Sequence, residues 1–307
     1  MSWFGHNHMP VEGRTILLTG GSEGTGLSAA RIFSSKGANV VIVSRDSAKL
    51  EKAVKSIAAA AKSPETQRFY TIAADVSKSN YAEGVVADAT AWNNGQPPEI
   101  VWCLAGLSTP MLWMDDGAME ASRYNRTAAA LDQGQQQRST REPRPAAKHI
   151  IFTGSVLSTF SLAGHAPYCP SKFAVRALAD ALAMEARLYP DVPIDVHLVL
   201  PNSVNTAGYE HENETKPEIT VQLEGRDVVQ DPDDVARLAI AGVERGRYFI
   251  ATTFVGDLMR WGAMGNSPRN NWFVDTLMGW IMPTILAYVM WDMNTQVSSW
   301  GKKKKQV

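Results

Sequence analysis

Short apolar, β-branched runs alternate along the chain, as far as Ala251, with segments in which apolar residues recur at helical spacing. The runs that predict strands are Thr15–Thr19, Asn39–Ser44, Arg68–Ala73, Ile100–Leu104, His149–Gly154, Ile194–Leu200 and Tyr248–Ala251. Strands that are apolar along their whole length are typical of a parallel sheet covered by helices on both faces. The alternation therefore predicts an α/β fold with a doubly wound parallel sheet.

Two segments depart from this alternation. Residues 132–148 are rich in Gln, Arg and Pro and lack apolar periodicity, which predicts an exposed or disordered loop. Beyond Phe254 the composition changes, and the stretch Trp272–Trp291 contains a single charged residue, Asp275. We therefore predict a main domain of residues 1–254, followed by a membrane-associated segment and basic tail of residues 255–307.

The stretch Trp272–Trp291 admits three interpretations. As a helix it would span roughly 30 Å, the thickness of a hydrocarbon core, and the tryptophans at both ends resemble an interfacial belt. Pro283 and Asp275 count against a full span and favour an interfacial or re-entrant anchor. The third possibility is a buried helix at a dimer interface.

The chain ends in four lysines followed by Gln306 and Val307. Lysines third and fourth from the end resemble a dilysine retrieval signal of the endoplasmic reticulum, which is read on the cytosolic side. The alternative is a solvated basic tail near anionic lipid. A single full span would separate this tail from the main domain, so a cytosolic domain requires a hairpin or a monotopic helix.

Composition narrows the function classes. The net charge of −1 argues against a nucleic-acid partner, because such proteins usually carry a basic surface. Two cysteines do not form a disulfide framework, which favours a reducing compartment. The six histidines are scattered without metal-ligand spacing, so we predict no metal site.

A glycine-rich turn directly follows the first predicted strand and precedes a helical pattern. Backbone without side chains can approach a pyrophosphate, and a helix N-terminus offers free N–H groups and a positive dipole end. This context favours a dinucleotide site over a plain strand-to-helix turn. The predicted cofactor contacts in the turn are Gly20, Ser22, Glu23, Gly24 and Gly26.

The second strand ends in Ser44-Arg45-Asp46. An acidic residue at this point would hold the ribose 2′-OH of NAD, whereas an arginine accommodates a 2′-phosphate. Arg45, together with Ser22, therefore favours NADP(H). Asp46 suits a helix N-cap. Lys49 either adds positive charge to the site or is a solvated helix lysine.

Ser155, Tyr168 and Lys172 form the candidate catalytic group. Residues four apart lie on one face of a helix, so Lys172 would stand beside Tyr168. A positive charge favours the phenolate and makes the tyrosine a usable proton donor and acceptor near neutral pH. The Ser155 hydroxyl could hold a substrate oxygen. The alternative is an ordinary helix start.

The T-G-x-x-x-G-x-G turn combined with Ser155, Tyr168 and Lys172 resembles the short-chain dehydrogenases/reductases, a Rossmann-type family. The resemblance implies that residues 1–254 are an NADP-binding catalytic domain in a homodimer. It also implies a water-anchoring role for Asn125, the fourth member of a catalytic tetrad. Further implied cofactor contacts are Asp75, Val76, Tyr168, Lys172, Val204 and Thr206. Two positions depart from the family pattern: the asparagine usual before Ala105-Gly106 is absent, and Asn202 replaces a glycine.

Two longer stretches, Tyr168–Glu185 and Asn205–Pro217, resemble the 3-ketodihydrosphingosine (3-dehydrosphinganine) reductases. This resemblance implies NADPH-dependent reduction of the C3 ketone of 3-ketosphinganine, a long-chain keto-amine lipid, at the endoplasmic reticulum membrane. Tyr168 would be the acid, Ser155 would hold the oxygen, and Lys172 would lower the Tyr168 pKa and hold the nicotinamide ribose. Charge complementarity would let Glu210, Glu212 or Glu214 meet the substrate amine. The alternatives are another lipid-directed reductase, acting on 3-ketoacyl or acyl dihydroxyacetone phosphate substrates, and a non-enzymatic NADP(H)-binding sensor or scaffold.

Overall fold

A computed structural model describes residues 6–106, 108, 110–112, 147–225 and 227–304. Within these residues seven parallel strands form one sheet in the order β3-β2-β1-β4-β5-β6-β7. The strands are β1 (Thr15–Thr19), β2 (Asn39–Ser44), β3 (Phe69–Ala73), β4 (Ile100–Cys103), β5 (Lys148–Thr153), β6 (Ile194–Leu200) and β7 (Phe249–Ala251). The predicted doubly wound parallel sheet is confirmed.

The helices lie between and after the strands. They are α1 (Gly24–Ser35), α2 (Ser47–Ala59), α3 (Tyr81–Trp92), α4 (Cys169–Glu185), α5 (Ala207–Thr215), α6 (Glu218–Glu224), α7 (Pro232–Glu244), α8 (Phe254–Gly262) and α9 (Trp272–Lys304). Short 3₁₀ turns at Val156–Ser158 and Ala186–Leu188 complete the described elements.

Two apolar layers explain why the strands are apolar throughout. Successive strand side chains point to opposite faces. Ile16 and Leu18 of β1 enter one layer, together with residues of α1, α2 and α7, while Leu17 enters the other, together with residues of α3 and α4. All five positions of β1 are therefore buried.

The predicted element ends were wrong by one residue at several strands. The predicted loop of residues 132–148 runs too far, because Lys148 is already the first residue of β5, paired with Ile194 of β6. Residues 132–146 and Asn125 lie outside the described part of the chain, so those predictions stay untested.

Helix α9 is the one described helix that is long and apolar enough to cross a membrane. Of the 18 residues in its most apolar stretch, 11% are buried. It continues through Pro283. Its apolar side chains are widely exposed, for example Trp272, Trp280 and Tyr288. The predicted apolar C-terminal segment is therefore an exposed helix.

Asp275, the single charge of that apolar stretch, is buried against α8 and the loop that follows it. One of its oxygens accepts from Arg260 of α8 at 3.1 Å and from the Trp261 indole at 2.7 Å. Its other oxygen accepts from the backbone N–H groups of Asn270 and Asn271 at 2.7 and 3.2 Å. The charge thus faces the protein, and the exposed positions from Trp272 to Trp291 carry no charge.

Candidate active site

The predicted cofactor and catalytic residues within the described chain, apart from Lys49, line one cleft of about 470 Å³. The cleft lies outside the carboxyl ends of the strands, where β1 stands between β2 and β4 and the strand order reverses. In open α/β sheets this is the point at which ligands bind.

Close backbone contacts require glycine in the turn after β1. Gly20 has φ +73°, a conformation that favours glycine, and a side chain there would lie 3.0 Å from the Ala105 backbone. A Cβ at Gly26 would lie 2.1 Å from the Gly20 carbonyl oxygen. The turn can therefore fold only with bare backbone at these positions, which leaves room for a phosphate.

Glu23 is the N-cap residue of α1, and its side chain makes no cap hydrogen bond. Instead, Glu23 pairs with Lys49 at 2.6 Å on the surface. This hydrogen bond raises the pKa of Lys49. The first-turn N–H groups of α1 remain available to an anion, while Glu23 offsets the positive charge of Lys49.

The end of β2 lies beside the turn. The Ser22 hydroxyl donates to the Ser44 hydroxyl at 2.9 Å, and the Arg45 side chain is exposed at the cleft edge. Asp75, after β3, accepts from the Ser77 backbone N–H at 3.0 Å, a hydrogen bond that lowers the Asp75 pKa. Val76 lines the same edge.

Ser155 and Tyr168 meet across the cleft from two different segments. Ser155 lies two residues after the end of β5 and caps the 3₁₀ turn, where its hydroxyl accepts from the Leu157 backbone N–H at 3.2 Å. Tyr168 is the N-cap residue of α4. Burial raises the pKa of Tyr168, and a hydrogen bond with Ser155 opposes that rise. The phenol is therefore held in its protonated form.

Lys172 lies one helical turn after Tyr168. Its Nζ is 5.4 Å from the Tyr168 ring centroid and donates to the Thr153 carbonyl at 3.2 Å. Burial lowers the pKa of Lys172 to about 8. Burial of the phenol is the largest influence on the Tyr168 pKa and raises it, while the expected lowering of that pKa by Lys172 stays a prediction.

Two hydroxyl-bearing residues stabilise the end of β4, where the family asparagine is absent. The Thr19 hydroxyl accepts from the backbone N–H groups of Leu104 and Ala105 at 3.2 and 3.3 Å. The buried Trp102 indole donates to the Thr153 hydroxyl at 3.0 Å. Threonine hydroxyls of β1 and β5 thus hold β4 between these two strands. Thr153 of β5 also supplies the carbonyl that binds Lys172.

The segment after β6 closes over the glycine turn. Thr206 caps α5, and its methyl group lies 3.0 Å from the Cβ that a side chain at Gly24 would have. Val204 bridges to Gln230. Asn202, which replaces the family glycine, accepts from the Thr253 hydroxyl at 2.6 Å and so links this segment to the start of α8.

Glu212, a candidate from the sequence, forms an ionic cluster at the cleft with three residues that the sequence did not single out: His165, Lys216 and Glu224. The Lys216 Nζ lies 2.6 Å from Glu224 and 3.1 Å from Glu212, and the Lys216 side chain is 2% exposed. His165 Nε2 lies 2.7 Å from Glu224. Only the helical spacing of Glu212 and Lys216 was visible as a signal in the sequence.

Ligand atoms of His165, Glu212 and Glu224 lie within 4.8 Å of one another, a geometry that could hold a metal ion. The Lys216 ammonium, however, already bridges both carboxylates. We therefore interpret the two carboxylates as partners of an ammonium group and not as metal ligands.

Comparison with known proteins identifies close relatives. A family model described as short chain dehydrogenase matches residues 14–217. The 3-ketodihydrosphingosine reductase of Neurospora crassa is 52% identical over 97% of this chain and 85% of its own length. The 3-ketodihydrosphingosine reductase of Aspergillus fumigatus is 37% identical over 97% of this chain and 87% of its own.

A solved structure shares the fold at lower identity. L-Sorbose reductase from Gluconobacter frateurii, complexed with NADPH and L-sorbose, superimposes with a TM-score of 0.63 and 21% identity. The match covers 81% of this chain and 98% of that one.

Proposed function

The chain belongs to the short-chain dehydrogenase family and, within it, to the 3-ketodihydrosphingosine reductases, and on that premise we propose that it reduces 3-ketosphinganine to sphinganine with NADPH. The observation that carries the proposal is the convergence of Ser155, Tyr168 and Lys172 on the cleft that also contains the glycine turn. The reaction would be a step in sphingolipid synthesis.

The glycine turn fits a nicotinamide dinucleotide. No side chain can occupy Gly26 without meeting the Gly20 carbonyl, and the first turn of α1 has no side-chain cap. Its N–H groups and dipole attract a pyrophosphate. The exposed Arg45 would hold the 2′-phosphate that distinguishes NADPH from NADH. When bound, the nicotinamide supplies the hydride for the ketone carbon.

Tyr168 donates the proton that completes the reduction. Negative charge develops on the ketone oxygen as its carbon is reduced, and the Tyr168 hydroxyl transfers its proton to that oxygen. Because burial raises the pKa of Tyr168, the phenol keeps its proton until a strong base such as an alkoxide forms beside it. The Ser155 hydroxyl donates a second hydrogen bond to the same oxygen.

Lys172 places a positive charge next to the phenolate that remains after proton transfer. Its Nζ is positioned by the Thr153 carbonyl and would also donate to the nicotinamide ribose. Asn125 would return a proton through an anchored water. That role stays a prediction, because Asn125 lies outside the described residues.

An apolar cluster beside Tyr168 supports a lipid substrate. Phe160, Leu162 and Leu223 pack near Tyr168, and Met293 of α9 joins them. Phe160 and Leu162 line the cleft, so the exposed apolar helix packs against residues that form the cleft wall. We propose that the alkyl chain of the substrate passes along this contact from the bilayer to the ketone site.

The cellular setting is part of the proposal. We propose that α9 associates with the endoplasmic reticulum membrane as a monotopic helix, with the catalytic domain in the cytosol. The buried position of Asp275 supports this placement, because the exposed side of α9 then presents apolar groups to lipid. We also propose a homodimer, on the family resemblance.

The test is NADPH oxidation by the full-length protein in detergent micelles, with 3-ketosphinganine, a 3-ketoacyl thioester and acyl dihydroxyacetone phosphate offered in parallel. We expect 3-ketosphinganine to be the preferred ketone. In the Tyr168→Phe variant the rate should fall by about 10²- to 10⁴-fold, the usual contribution of a general acid, while NADPH binding persists.

The matched control is Tyr189→Phe, which removes a hydroxyl from a tyrosine that is 49% exposed on the surface and should leave the rate unchanged. Unaltered turnover by Tyr168→Phe would contradict the mechanism. Preference for a different ketone would contradict the substrate assignment.

A further inference from the structure

The ionic cluster of His165, Glu212, Lys216 and Glu224 holds the helices above the cleft against the loop that carries Tyr168. Glu212 belongs to α5, Glu224 ends α6, and His165 precedes Tyr168 by three residues. All of them except Lys216 line the cleft directly. His165, Glu212 and Glu224 therefore form part of the wall of the cleft.

The position of the cluster is fixed by a close contact nearby. The Thr220 hydroxyl of α6 donates to the Ala163 carbonyl at 2.9 Å. A Cβ at Gly164, which has φ +90°, would lie 1.8 Å from that hydroxyl oxygen. Only glycine permits α6 to approach the Tyr168 loop so closely, so the carboxylates are held at a defined place.

The cluster contains more carboxylates than ammonium groups. Burial alone would raise the pKa of Glu224. The hydrogen bonds with His165 and Lys216 outweigh burial and hold that pKa below its usual value. Burial opposes the charge on Lys216 as well, but its two carboxylate partners raise the Lys216 pKa. Two carboxylates thus share a single ammonium group, and Asp227 adds a further carboxyl group at the cleft.

His165 provides a separate indication of a ligand. Its ring is 2% exposed, and its Nδ1 has no hydrogen-bond partner among the described residues. An unpartnered buried polar atom is costly and uncommon in a native structure. A surplus of carboxylates together with a ring nitrogen that has no partner among the described residues suits a ligand that is a cation and a hydrogen-bond donor.

The cluster lies beside the reacting atoms. The ring centroids of His165 and Tyr168 are 5.9 Å apart. Burial raises the pKa of Tyr168, and the hydrogen bond with Ser155 lowers it. The charge of Glu212 is a smaller influence that raises the Tyr168 pKa further. In a keto-amine substrate the ammonium sits on the carbon next to the ketone, so it must lie close to the oxygen that Tyr168 protonates.

We infer that Glu212 is the specificity-determining residue that binds the substrate ammonium, and that Lys216 positions Glu212 and Glu224 for this contact. This inference rests on the proposed function. Lys216 engages one Glu212 oxygen, Oε1, and an ionised carboxylate offers about four lone-pair sites. Glu212 can therefore accept the substrate ammonium in addition to Lys216.

The neighbouring glutamates do not share this geometry. Glu210 is exposed and does not line the cleft. Glu214 is 70% exposed and pairs with His211 on the surface. Among the three glutamates that charge complementarity alone left open, the structure assigns the amine contact to Glu212.

The test compares two ketones in the full-length protein: 3-ketosphinganine, and the same 1-hydroxy-3-ketone with hydrogen in place of the amino group. We expect the wild type to favour the amine by about 10-fold or more in kcat/KM, the scale of one hydrogen bond to a charged group. Glu212→Gln should lose most of that preference, chiefly through KM. Its loss of kcat/KM on the amine-free ketone should be about 10-fold smaller than its loss on 3-ketosphinganine, and its affinity for NADPH should stay within about twofold of wild type.

Glu214→Gln is the matched control and should behave as wild type with both ketones. Equal efficiency of the wild type with the two ketones would overturn the inference, and this readout holds even if the Glu212 variant fails to fold. An equal loss on both ketones in Glu212→Gln would also overturn it, because that result indicates a purely structural role. Failure of the wild type to reduce 3-ketosphinganine would instead overturn the proposed function itself.

Discussion

The two halves of the cleft are specified in different ways. On the cofactor side, between β1 and β3, the geometry depends on bare backbone: Gly20 and Gly26 stand where any side chain would meet main-chain atoms. On the substrate side, between β5 and α9, it depends on side chains from distant segments, such as His165, Lys216 and Glu224. A backbone turn is local in sequence, whereas an ionic cluster forms only when the chain has folded.

This difference predicts that the cofactor half tolerates substitution least. In the Gly26→Ala variant the added Cβ would lie 2.1 Å from the Gly20 carbonyl oxygen, so the start of α1 must move. Displacement of the first-turn N–H groups from the pyrophosphate should cost about 3 kcal/mol, the scale of one or two hydrogen bonds to a charged group, which corresponds to about a 150-fold loss of NADPH affinity. Titration of NADPH fluorescence measures the effect.

Gly84→Ala is the matched control, because a Cβ at this position of α3 meets nothing within 4 Å. It should bind NADPH as the wild type does and should melt at the same temperature or slightly higher, since alanine favours helix. If Gly26→Ala bound NADPH as tightly as the wild type, close backbone contacts would not determine the geometry of the cofactor half of the cleft.

A smaller effect is expected where the cofactor half uses a side chain. Replacing Arg45 by alanine should reduce kcat/KM for NADPH by about 10- to 100-fold, the worth of a charge-assisted hydrogen bond, and leave NADH unaffected. Lys49→Ala should change the preference much less, because Glu23 already pairs with Lys49. Steady-state kinetics with both cofactors distinguish the two variants, and an unchanged preference in Arg45→Ala would exclude Arg45 as the 2′-phosphate contact.

The smallest expected effect is a pH dependence on the substrate side. Burial lowers the pKa of Lys172 to about 8, so its positive charge is present below that pH and is lost above it. We expect kcat/KM to fall about fourfold between about pH 7 and pH 8.5. In Lys172→Arg the guanidinium stays charged, so this alkaline limb should disappear from the pH profile. Persistence of the limb in that variant would assign it to another group.

The sequence could predict what is local. The strands and the turn from Gly20 to Gly26 follow from apolar runs and glycine spacing, and Lys172 follows Tyr168 by one helical turn. The meeting of Ser155 with Tyr168 required knowledge of the family, since spacing alone does not bring a strand end to a helix start.

The remainder depended on tertiary packing. His165, Lys216 and Glu224 come from separate segments, and only the Glu212–Lys216 spacing hints at their contact. Asp275 counts against a membrane helix in the sequence, yet the fold turns it inward to Arg260. The hydroxyl of Thr19, the threonine of the glycine-turn motif, holds the end of β4, and the motif alone does not indicate that contact.

The buried contact between Asp275 and Arg260 has a kinetic consequence. It fixes the first turn of α9 to α8, so α9 keeps one orientation relative to the cleft. With α9 seated in a bilayer, the mouth of the cleft would keep one tilt and one height above the lipid. Substrate capture then becomes a search within a two-dimensional film, and its rate should follow the mole fraction of substrate among the lipids and not its amount per volume of solution.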